Sequence, residues 1–149
     1  MDATSLKITF PGGLAVDAAF KGFTVATDQR VEHGGGDTAP EPFDLFLASL
    51  GTCAGLYALR FCQQRGIATE GLGLTLATEK DPEGRRLALV RLDVELPAGF
   101  PDKYRAAILR AVDQCAVKRQ ILDPPRFEVA AAAGATRREM PARREMAKV

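Results

Sequence analysis

The chain has 149 residues, 46% of them hydrophobic, which is enough for one domain with a hydrophobic core. Its 20 lysine and arginine residues nearly balance 19 aspartate and glutamate residues, and the resulting net charge of +1 does not indicate a nucleic acid partner. No apolar run reaches the length of a membrane span, no signal peptide pattern opens the chain, and three cysteines do not make a disulfide scaffold, so we expect a cytoplasmic protein with reduced thiols.

The first third of the chain has the pattern of β-strands. Residues 6–10 alternate apolar and polar side chains, and residues 14–20 and 23–27 also have extended character. Turn residues separate these segments, with Pro-Gly-Gly at 11–13 and Lys-Gly at 21–22. Three strands joined by such short turns predict an antiparallel meander.

A polar loop occupies residues 28–40 and contains three consecutive glycines at 34–36. The glycines do not predict a phosphate site, because no Lys-Ser or Lys-Thr pair follows them and the spacing is not Gly-x-Gly-x-x-Gly. We expect either a flexible connection or a place where two backbone segments approach closely. The only histidine, His33, lies in this loop, so a metal site built from histidine and cysteine is not expected.

A long helix is predicted to open at the prolines of residues 40–42 and to run to about Arg65, where Gly66 ends it. Residues 45–59 include no charged side chain, so nearly every face of this stretch is apolar. Two glycines interrupt the apolar stretch, and we expect it to be too short and too broken to span a bilayer. The pattern therefore predicts the central helix of the fold, covered by a sheet or by a partner subunit.

The second half of the chain begins with a predicted β-hairpin. Its strands are residues 72–77 and 87–96, and residues 81–84 form the turn between them. Asp102 is then expected to cap a second helix. Apolar residues at helical spacing give this helix a stripe that ends with Cys115.

The last predicted element is a strand at residues 127–131, after two prolines. Residues 136–149 carry five basic and two acidic side chains, and we expect them to form a mobile, partly helical tail. The chain is therefore divided into one domain over residues 1–135 and a basic tail over residues 136–149.

The three cysteines carry most of the chemical information. Cys53 lies in the predicted central helix and Cys115 on the stripe of the second helix, so both face one core and their sulfurs can meet. Cys62 follows Cys53 by nine residues, or about 900° at about 100° per residue, so it lies on the opposite side of the same helix. A buried free cysteine often serves only in packing, which remains an alternative for all three. A helix break at Asp113 would place Cys115 at the start of a new helix, where the pKa of a thiol falls.

Three segments together form a more specific pattern. They are the stretch from Thr27 to the glycines at 34–35, the proline-opened stretch of residues 39–53 that ends in a cysteine, and residues 113–118 around the last cysteine. In these segments the chain resembles the OsmC/Ohr family, the osmotically inducible protein C and organic hydroperoxide resistance proteins. The likeness extends from about Thr27 to Phe127 and is nearer to the less characterised OsmC-like branch.

The resemblance implies an α+β fold in which antiparallel sheets wrap around two long central helices of an intertwined homodimer, with active sites at the interface. It also implies a thiol peroxidase for organic hydroperoxides, in which Cys53 becomes a sulfenic acid and Cys115 resolves it as a disulfide. A dithiol or lipoyl-type reductant would then restore the thiols. No cofactor or metal is implied, and neither a nucleic acid nor a membrane is expected as a partner.

The residues that would activate the peroxidatic cysteine depart from the family's pattern. In the established peroxidases a glutamate follows the helix-opening proline and pairs with an arginine, whereas Phe43 follows Pro42 here. Glu41 and Asp44 are the nearest acids, and Arg30 stands roughly where some members have the arginine. The resemblance therefore makes Arg30, Glu41 and Asp44 candidates for activating the thiolate.

Large apolar side chains on the central helix are expected to pack in the core or the dimer interface and to form a substrate wall; they are Phe43, Phe46, Leu50 and Leu56. The alternative function is a non-catalytic binder of an apolar small molecule or a redox sensor, and the phenylalanine in place of the expected acid favours it. A Cys–His pair would need His33 to reach Cys53, and acyl transfer would need a base that the sequence does not supply.

Overall fold

A computed structural model describes residues 5–131, and the predicted tail at residues 136–149 lies outside the described residues. The fold is α+β, as predicted, with two antiparallel sheets and three α-helices in the described part of the chain. The elements in chain order are β1 (Lys7–Gly12), β2 (Ala15–Phe20), β3 (Phe23–Thr27), α1 (Pro42–Gln64), β4 (Gly73–Lys80), β5 (Leu87–Glu95), α2 (Arg105–Val112) and α3 (Ala116–Leu122). Short 3₁₀ turns at Val31–His33 and Asp102–Tyr104 precede α1 and α2.

The predicted meander is confirmed as an antiparallel sheet in the order β1-β2-β3. In its register Ala18 lies opposite both Ile8 and Val25. Strand β1 extends through Pro11 to Gly12, beyond its predicted end, because an edge strand tolerates a proline that cannot donate to the ladder. Among residues 5–131, no helix or strand outside the meander makes an extended contact with it. Its large apolar side chains are accordingly exposed: Leu6, Ile8, Phe10, Leu14 and Phe23.

The predicted hairpin is confirmed as the antiparallel pair β4 and β5. Asp81 closes the turn, because its carboxylate accepts hydrogen bonds from the backbone N–H groups of Arg85 and Arg86 at 2.8 and 3.3 Å. Apolar residues alternate along both strands and pack on the core with one face. They are Leu74, Leu76, Val90, Leu92 and Val94.

Helix α1 begins and ends as its sequence predicts. Glu41 is the N-cap, and the Asp44 carboxylate accepts the Glu41 backbone N–H at 3.1 Å, which completes a capping box. Gly66 follows the C-cap with a φ of 61°, a conformation that favours glycine. One stripe of the helix forms the centre of the core, namely Leu50, Ala54, Ala58, Phe61 and Cys62.

The expectation that α1 is too short and too broken to cross a membrane is wrong on length and continuity. The helix runs for 23 residues without a break at Gly51 or Gly55, and its length and composition alone would allow it to span a bilayer. Its buried stripe, however, packs on α2, α3 and β4. This stripe makes α1 the central helix of the core.

The second predicted helix is shorter than its apolar stripe indicates. Asp102 does not cap it: the N-cap of the 3₁₀ turn is Pro101, and the Asp102 carboxylate instead pairs with Arg105 at 2.7 Å. Helix α2 then ends at Val112, so Cys115 does not lie on its stripe. The chain turns after Val112, and Cys115 becomes the N-cap of α3. The expected break at Asp113 is therefore confirmed, but the expected fall in the pKa of the Cys115 thiol is wrong, because burial raises that pKa.

The strand predicted at residues 127–131 is not present. The segment has no regular secondary structure and no neighbouring strand in the described part of the chain, and the Phe127 side chain is 83% exposed. Alternating side chains alone do not make a strand, because the backbone needs a partner for its hydrogen bonds. Pro124 and Pro125, just before this segment, have no backbone N–H that could donate to a neighbouring strand.

The loop before α1 is fixed by one buried carboxylate rather than flexible. Asp28 accepts hydrogen bonds from the Thr38 hydroxyl at 2.7 Å and from the backbone N–H groups of Gln29, Gly36 and Thr38 at 2.8–3.1 Å. These bonds, led by the Thr38 hydroxyl, lower the pKa of Asp28, although burial opposes them. A Cβ at Gly35 would lie 2.0 Å from the Gln29 carbonyl oxygen, so the predicted close backbone approach is confirmed.

Candidate active site

The structure brings Cys53 and Cys115 together although 62 positions separate them. Cys53 is half-buried on α1, and Cys115 is fully buried at the start of α3. The two thiols lie within hydrogen-bonding reach of each other. The Cys115 thiol can also donate to the Leu50 carbonyl oxygen at 3.8 Å, and its sulfur accepts the Lys118 backbone N–H at 3.5 Å. Both cysteines are free, so this is the reduced pair.

The surroundings make the two thiols unequal. Burial raises the pKa of Cys53, but the backbone N–H of Val117, the Cys115 thiol, the backbone N–H of Ala116 and the charge of Arg119 together bring it below its ordinary value. Burial raises the pKa of Cys115, and the neighbouring Cys53 sulfur raises it further. A lowered pKa gives more thiolate, the nucleophilic form. The geometry therefore favours Cys53 as the nucleophile and leaves Cys115 protonated beside it.

The break between α2 and α3 creates this asymmetry. Because α2 ends at Val112, the first N–H groups of α3 have no helical partners of their own. Those of Ala116 and Val117 lie near the Cys53 sulfur and lower the pKa of its thiol. An ion pair between Asp113 and Lys118 joins the two sides of the break. The same arrangement would be lost in one continuous helix.

Cys62 takes no part in the pair. It is fully buried within the core stripe of α1, and burial raises the pKa of its thiol despite the nearby charge of Arg65. Cys53, nine residues earlier on the same helix, is only half-buried and packs against this core. A neutral, enclosed thiol of this kind is inert.

Arg30 and Glu41 form a pair, but they lie away from Cys53 in the same chain. The Arg30 Nε atom lies 3.4 Å from Oε2 of Glu41, whose other oxygen, Oε1, lies 3.0 Å from the His33 Nδ1 atom. The hydrogen bond from His33 and the charge of Arg30 lower the pKa of Glu41, while burial opposes them. Glu41 precedes Cys53 by twelve residues, or about 18 Å of helix at about 1.5 Å per residue. The His33 ring is thus occupied by Glu41 rather than by the Cys53 thiol.

Asp44 is likewise placed away from the thiols. Its carboxylate caps the first turn of α1 and lies beside the positive end of the helix dipole. Nine residues of helix separate it from Cys53 and turn it to the other side. Within one chain, the cation near the Cys53 sulfur is therefore Arg119, which the sequence analysis did not single out.

The four predicted substrate-wall residues do not share one surface. Phe43 and Phe46 stack on each other with ring centroids 5.4 Å apart and are exposed, as is Leu56. Leu50 is buried and lines a cavity of about 410 Å³ between the second sheet and the α2–α3 break. The cavity's other lining residues are Val90, Leu92, Val94, Leu109, Val112, Asp113, Lys118 and Ile121.

This mostly aliphatic cavity adjoins Cys115 through two of its lining residues. The Leu50 carbonyl contacts the Cys115 sulfur, and the Cys115 backbone N–H donates to Val112 at 3.1 Å. The alternation of apolar residues along β5 indicates that one face of this strand is buried. The alternation does not indicate which helices pack opposite that face and enclose the cavity. Among residues 5–131, no group of three or more histidine, cysteine or acidic side chains is placed to hold a metal ion.

Comparison with known proteins identifies a family and several solved structures with a similar fold. Residues 34–130 match the family model described as OsmC-like protein. No curated protein matches the chain. A Psychrobacter arcticus structure, assigned provisionally to an osmotic stress induced and detoxification response protein, is 21% identical over 80% of this chain and 89% of that one, with a TM-score of 0.68.

Two further solved structures share the fold at lower identity. An OsmC-like protein of unknown function from Vibrio cholerae is 12% identical, over 80% of this chain and 94% of that one, with a TM-score of 0.58. An organic hydroperoxide resistance protein OsmC from Legionella pneumophila is 17% identical, over 81% of this chain and 90% of that one, with a TM-score of 0.54. At these identities the likeness shows a common fold.

Proposed function

Because the chain belongs to the OsmC-like protein family, we propose that it is a thiol-dependent peroxidase that reduces organic hydroperoxides to alcohols. The observation that carries the proposal is the proximity of Cys53, whose pKa is lowered, to Cys115, whose pKa is raised. A general role in the response to redox stress is supported by the family and by the likeness to the Legionella pneumophila structure named as an organic hydroperoxide resistance protein. We place this activity in the cytoplasm, where thiols are kept reduced.

The proposed reaction uses the two cysteines in turn. The Cys53 thiolate attacks the distal oxygen of the hydroperoxide, the O–O bond breaks, and the alkoxide leaves as the alcohol after taking a proton. Cys53 is then a sulfenic acid. The Cys115 thiol attacks its sulfur, a disulfide forms and water leaves. An external dithiol or lipoyl-type reductant exchanges with the disulfide, becomes oxidised itself and returns both cysteines to thiols.

The site supplies what each step needs. The N–H groups of Ala116 and Val117 stabilise negative charge on the attacking sulfur, and Arg119 adds a positive field. The aliphatic cavity beside Cys115 has room for the apolar part of an organic hydroperoxide. Since Cys115 already lies in reach of Cys53, the resolving step requires only local movement.

The function should first be tested by counting thiols. One equivalent of cumene hydroperoxide per chain is expected to lower the number of free thiols from three to one. Peptide mapping should then find Cys53 joined to Cys115 and Cys62 still reduced, because Cys62 is enclosed and neutral. A protein that keeps all three thiols after this treatment would rule out the peroxidase proposal.

A second candidate, a non-catalytic binder of an apolar small molecule, is favoured by the same 410 Å³ cavity. Its lining is mostly aliphatic, as in sites for lipid-like ligands. The thiol count separates the two functions, since a binder would leave its cysteines unchanged. A lipid-like molecule that copurifies with a protein of unchanged thiols would support binding over catalysis.

We also propose that the protein works as an intertwined homodimer. The meander exposes Phe10 and Phe23 at 78% and 69%, and no helix or strand within residues 5–131 covers it. On α1, Gly51 and Gly55 line an open groove of about 550 Å³, beside exposed Leu56. Apolar surfaces of this extent mark protein contacts, and a second copy of the chain would bury both.

In such a dimer the interface could complete the active site. Arg30 and Glu41 lie too far from Cys53 of their own chain, but they form an exposed cluster at the start of α1. The proposal is that Arg30, Glu41 and the capping Asp44 act on the thiol pair of the other protomer. The exposed Phe43 and Phe46 would then lie at the interface as part of the substrate wall.

Sedimentation should show a mass twice that of the 16.0 kDa chain at micromolar concentration. Leu56→Glu is expected to weaken the dimer at least about tenfold, because a buried leucine contributes about 2 kcal/mol and the carboxylate must be desolvated. Val129→Glu is the matched control, since Val129 is 99% exposed outside any strand or helix. A monomeric wild-type chain, or equal dissociation of the Leu56→Glu and control variants, would contradict the proposed interface.

A further inference from the structure

A second groove, separate from the aliphatic cavity, lies between the C-terminal half of α1 and α2. It encloses about 530 Å³. Its lining combines three arginines with polar and small apolar side chains: Tyr57, Arg60, Phe61, Gln64, Arg65, Ala107, Arg110, Ala111 and Gln114. The proposed peroxidase reaction uses none of these side chains.

The groove follows from the same spacing on two helices. On α1, Tyr57, Arg60 and Gln64 recur at the positions that share one helical face. On α2 the corresponding face begins with Ala107 and includes an arginine three positions later, and a glutamine seven positions later lies in the turn just after the helix. Because Ala107 and Ala111 are small, the contact between the helices stays open opposite the aromatic rings. Arginines therefore stand at both sides of a partly apolar floor.

The charges in the groove are not balanced by the described part of the chain. No acidic side chain lines the groove. Within residues 5–131, none of its three arginines, Arg60, Arg65 and Arg110, forms an ion pair. Asp113 follows Arg110 closely but pairs with Lys118 instead. Three like charges around one concave surface repel one another and concentrate a positive field there.

One of the arginines is already held in place. The Arg65 guanidinium lies 3.8 Å from the centroid of the Phe61 ring and donates to the Phe61 carbonyl oxygen at 3.3 Å. A stacked guanidinium keeps its remaining N–H groups in a fixed plane, which suits bidentate binding of an anion. A neighbouring cavity shares Arg65 and adds Lys103, so the positive surface continues around the end of α1.

We propose that this groove binds a small organic phosphate, with the phosphate on Arg60, Arg65 and Arg110 and its apolar body on the floor. A phosphate dianion matches a surface with three guanidinium groups, which recognise phosphate oxygens in pairs. The half-buried Tyr57 ring and the two alanines offer the apolar contact. Binding here does not depend on the thiol chemistry, so it is expected equally in the wild-type chain and in Cys53→Ser.

Calorimetric titration at low salt with phenyl phosphate tests the site. The wild-type chain should bind phenyl phosphate more tightly than inorganic phosphate, and phenol should not compete for the site. Arg60→Gln combined with Arg110→Gln should weaken binding at least about tenfold, because each removes a charged hydrogen-bond partner. Replacing both arginines by lysine should give an intermediate loss, since the charge remains but the paired geometry does not.

Arg91→Gln is the matched control, because Arg91 is an exposed arginine on β5 that does not line the groove. It removes the same charge and should bind phenyl phosphate like the wild-type chain. Equal loss in the control and in the double variant would show a general charge effect and overturn the site. We expect at least millimolar affinity for phenyl phosphate at this site. The proposed site would therefore also be overturned if the wild-type chain gave no heat of binding at about 10 mM phenyl phosphate.

Discussion

Replacement of Cys53 by serine should slow hydroperoxide consumption in the presence of a dithiol by at least about a thousandfold, the scale on which loss of a covalent nucleophile is felt. A serine hydroxyl at the same position cannot ionise near neutral pH, so the N–H groups of Ala116 and Val117 would have no anion to stabilise. The loss is measured as the rate of cumene hydroperoxide disappearance at saturating dithiol.

The matched control for this variant is Cys62→Ser. Cys62 lies on the same helix, has the same side chain and is enclosed by the core, so its replacement tests thiol loss without touching the pair. We expect its peroxidase rate to stay within about threefold of wild type, while its stability falls by about 1–3 kcal/mol from burying a hydroxyl. Turnover that survives in Cys53→Ser but fails in Cys62→Ser would reverse the assignment of the nucleophile.

Much of the fold could be predicted from local patterns in the sequence. The meander, the hairpin and α1 each combine a clear periodicity with the turn or capping residues that bound it, as Asp44 and Gly66 do for α1. Residues 127–131 are also predicted as a strand, but they have no partner strand in the described part of the chain. The difference lies in long-range pairing, which a local pattern does not contain.

The candidate site could be predicted only in part for the same reason. Helical spacing predicts Cys53 and Cys62 on opposite sides of α1, and in the structure Cys62 is buried in the core while Cys53 is half-buried against it. The contact with Cys115 depends on where α2 stops, and its apolar stripe continues past the real end at Val112. Arg119 acquires its position near Cys53 only because α3 begins anew at that break.

Two of the candidate activating residues pair with each other, although neither lies near the thiols of its own chain. Arg30 pairs with Glu41. Glu41 directly follows Pro40, so the proline–glutamate order is present two positions before Pro42–Phe43, where the resemblance leads us to expect it. Within one chain, however, α1 separates that pair from the thiols by about 18 Å of helix at about 1.5 Å per residue. A sequence shows which residue types can pair, whereas the distance of such a pair from the thiols depends on the three-dimensional structure.

Replacement of Cys115 by serine should leave one turnover and remove the rest. Cys53 can still reduce one equivalent of hydroperoxide, but its sulfenic acid finds no thiol within reach and steady-state turnover should fall about a hundredfold or more, since direct attack by external dithiol lacks the proximity of Cys115. Rapid-mixing kinetics should show a burst of one equivalent per chain, and dimedone should label Cys53 afterwards.

The role of Cys115 as a helix cap allows chemistry and structure to be separated. Its sulfur accepts the Lys118 backbone N–H at the start of α3, and a serine oxygen does the same well, whereas an alanine cannot. Cys115→Ser and Cys115→Ala should therefore lose turnover equally, while only the alanine variant loses the further ~1 kcal/mol of stability that a cap contributes. Full steady-state turnover in Cys115→Ser would mean that the external dithiol resolves the sulfenic acid itself. The contact between the two sulfurs would then be a feature of packing, and the mechanism would need only one cysteine.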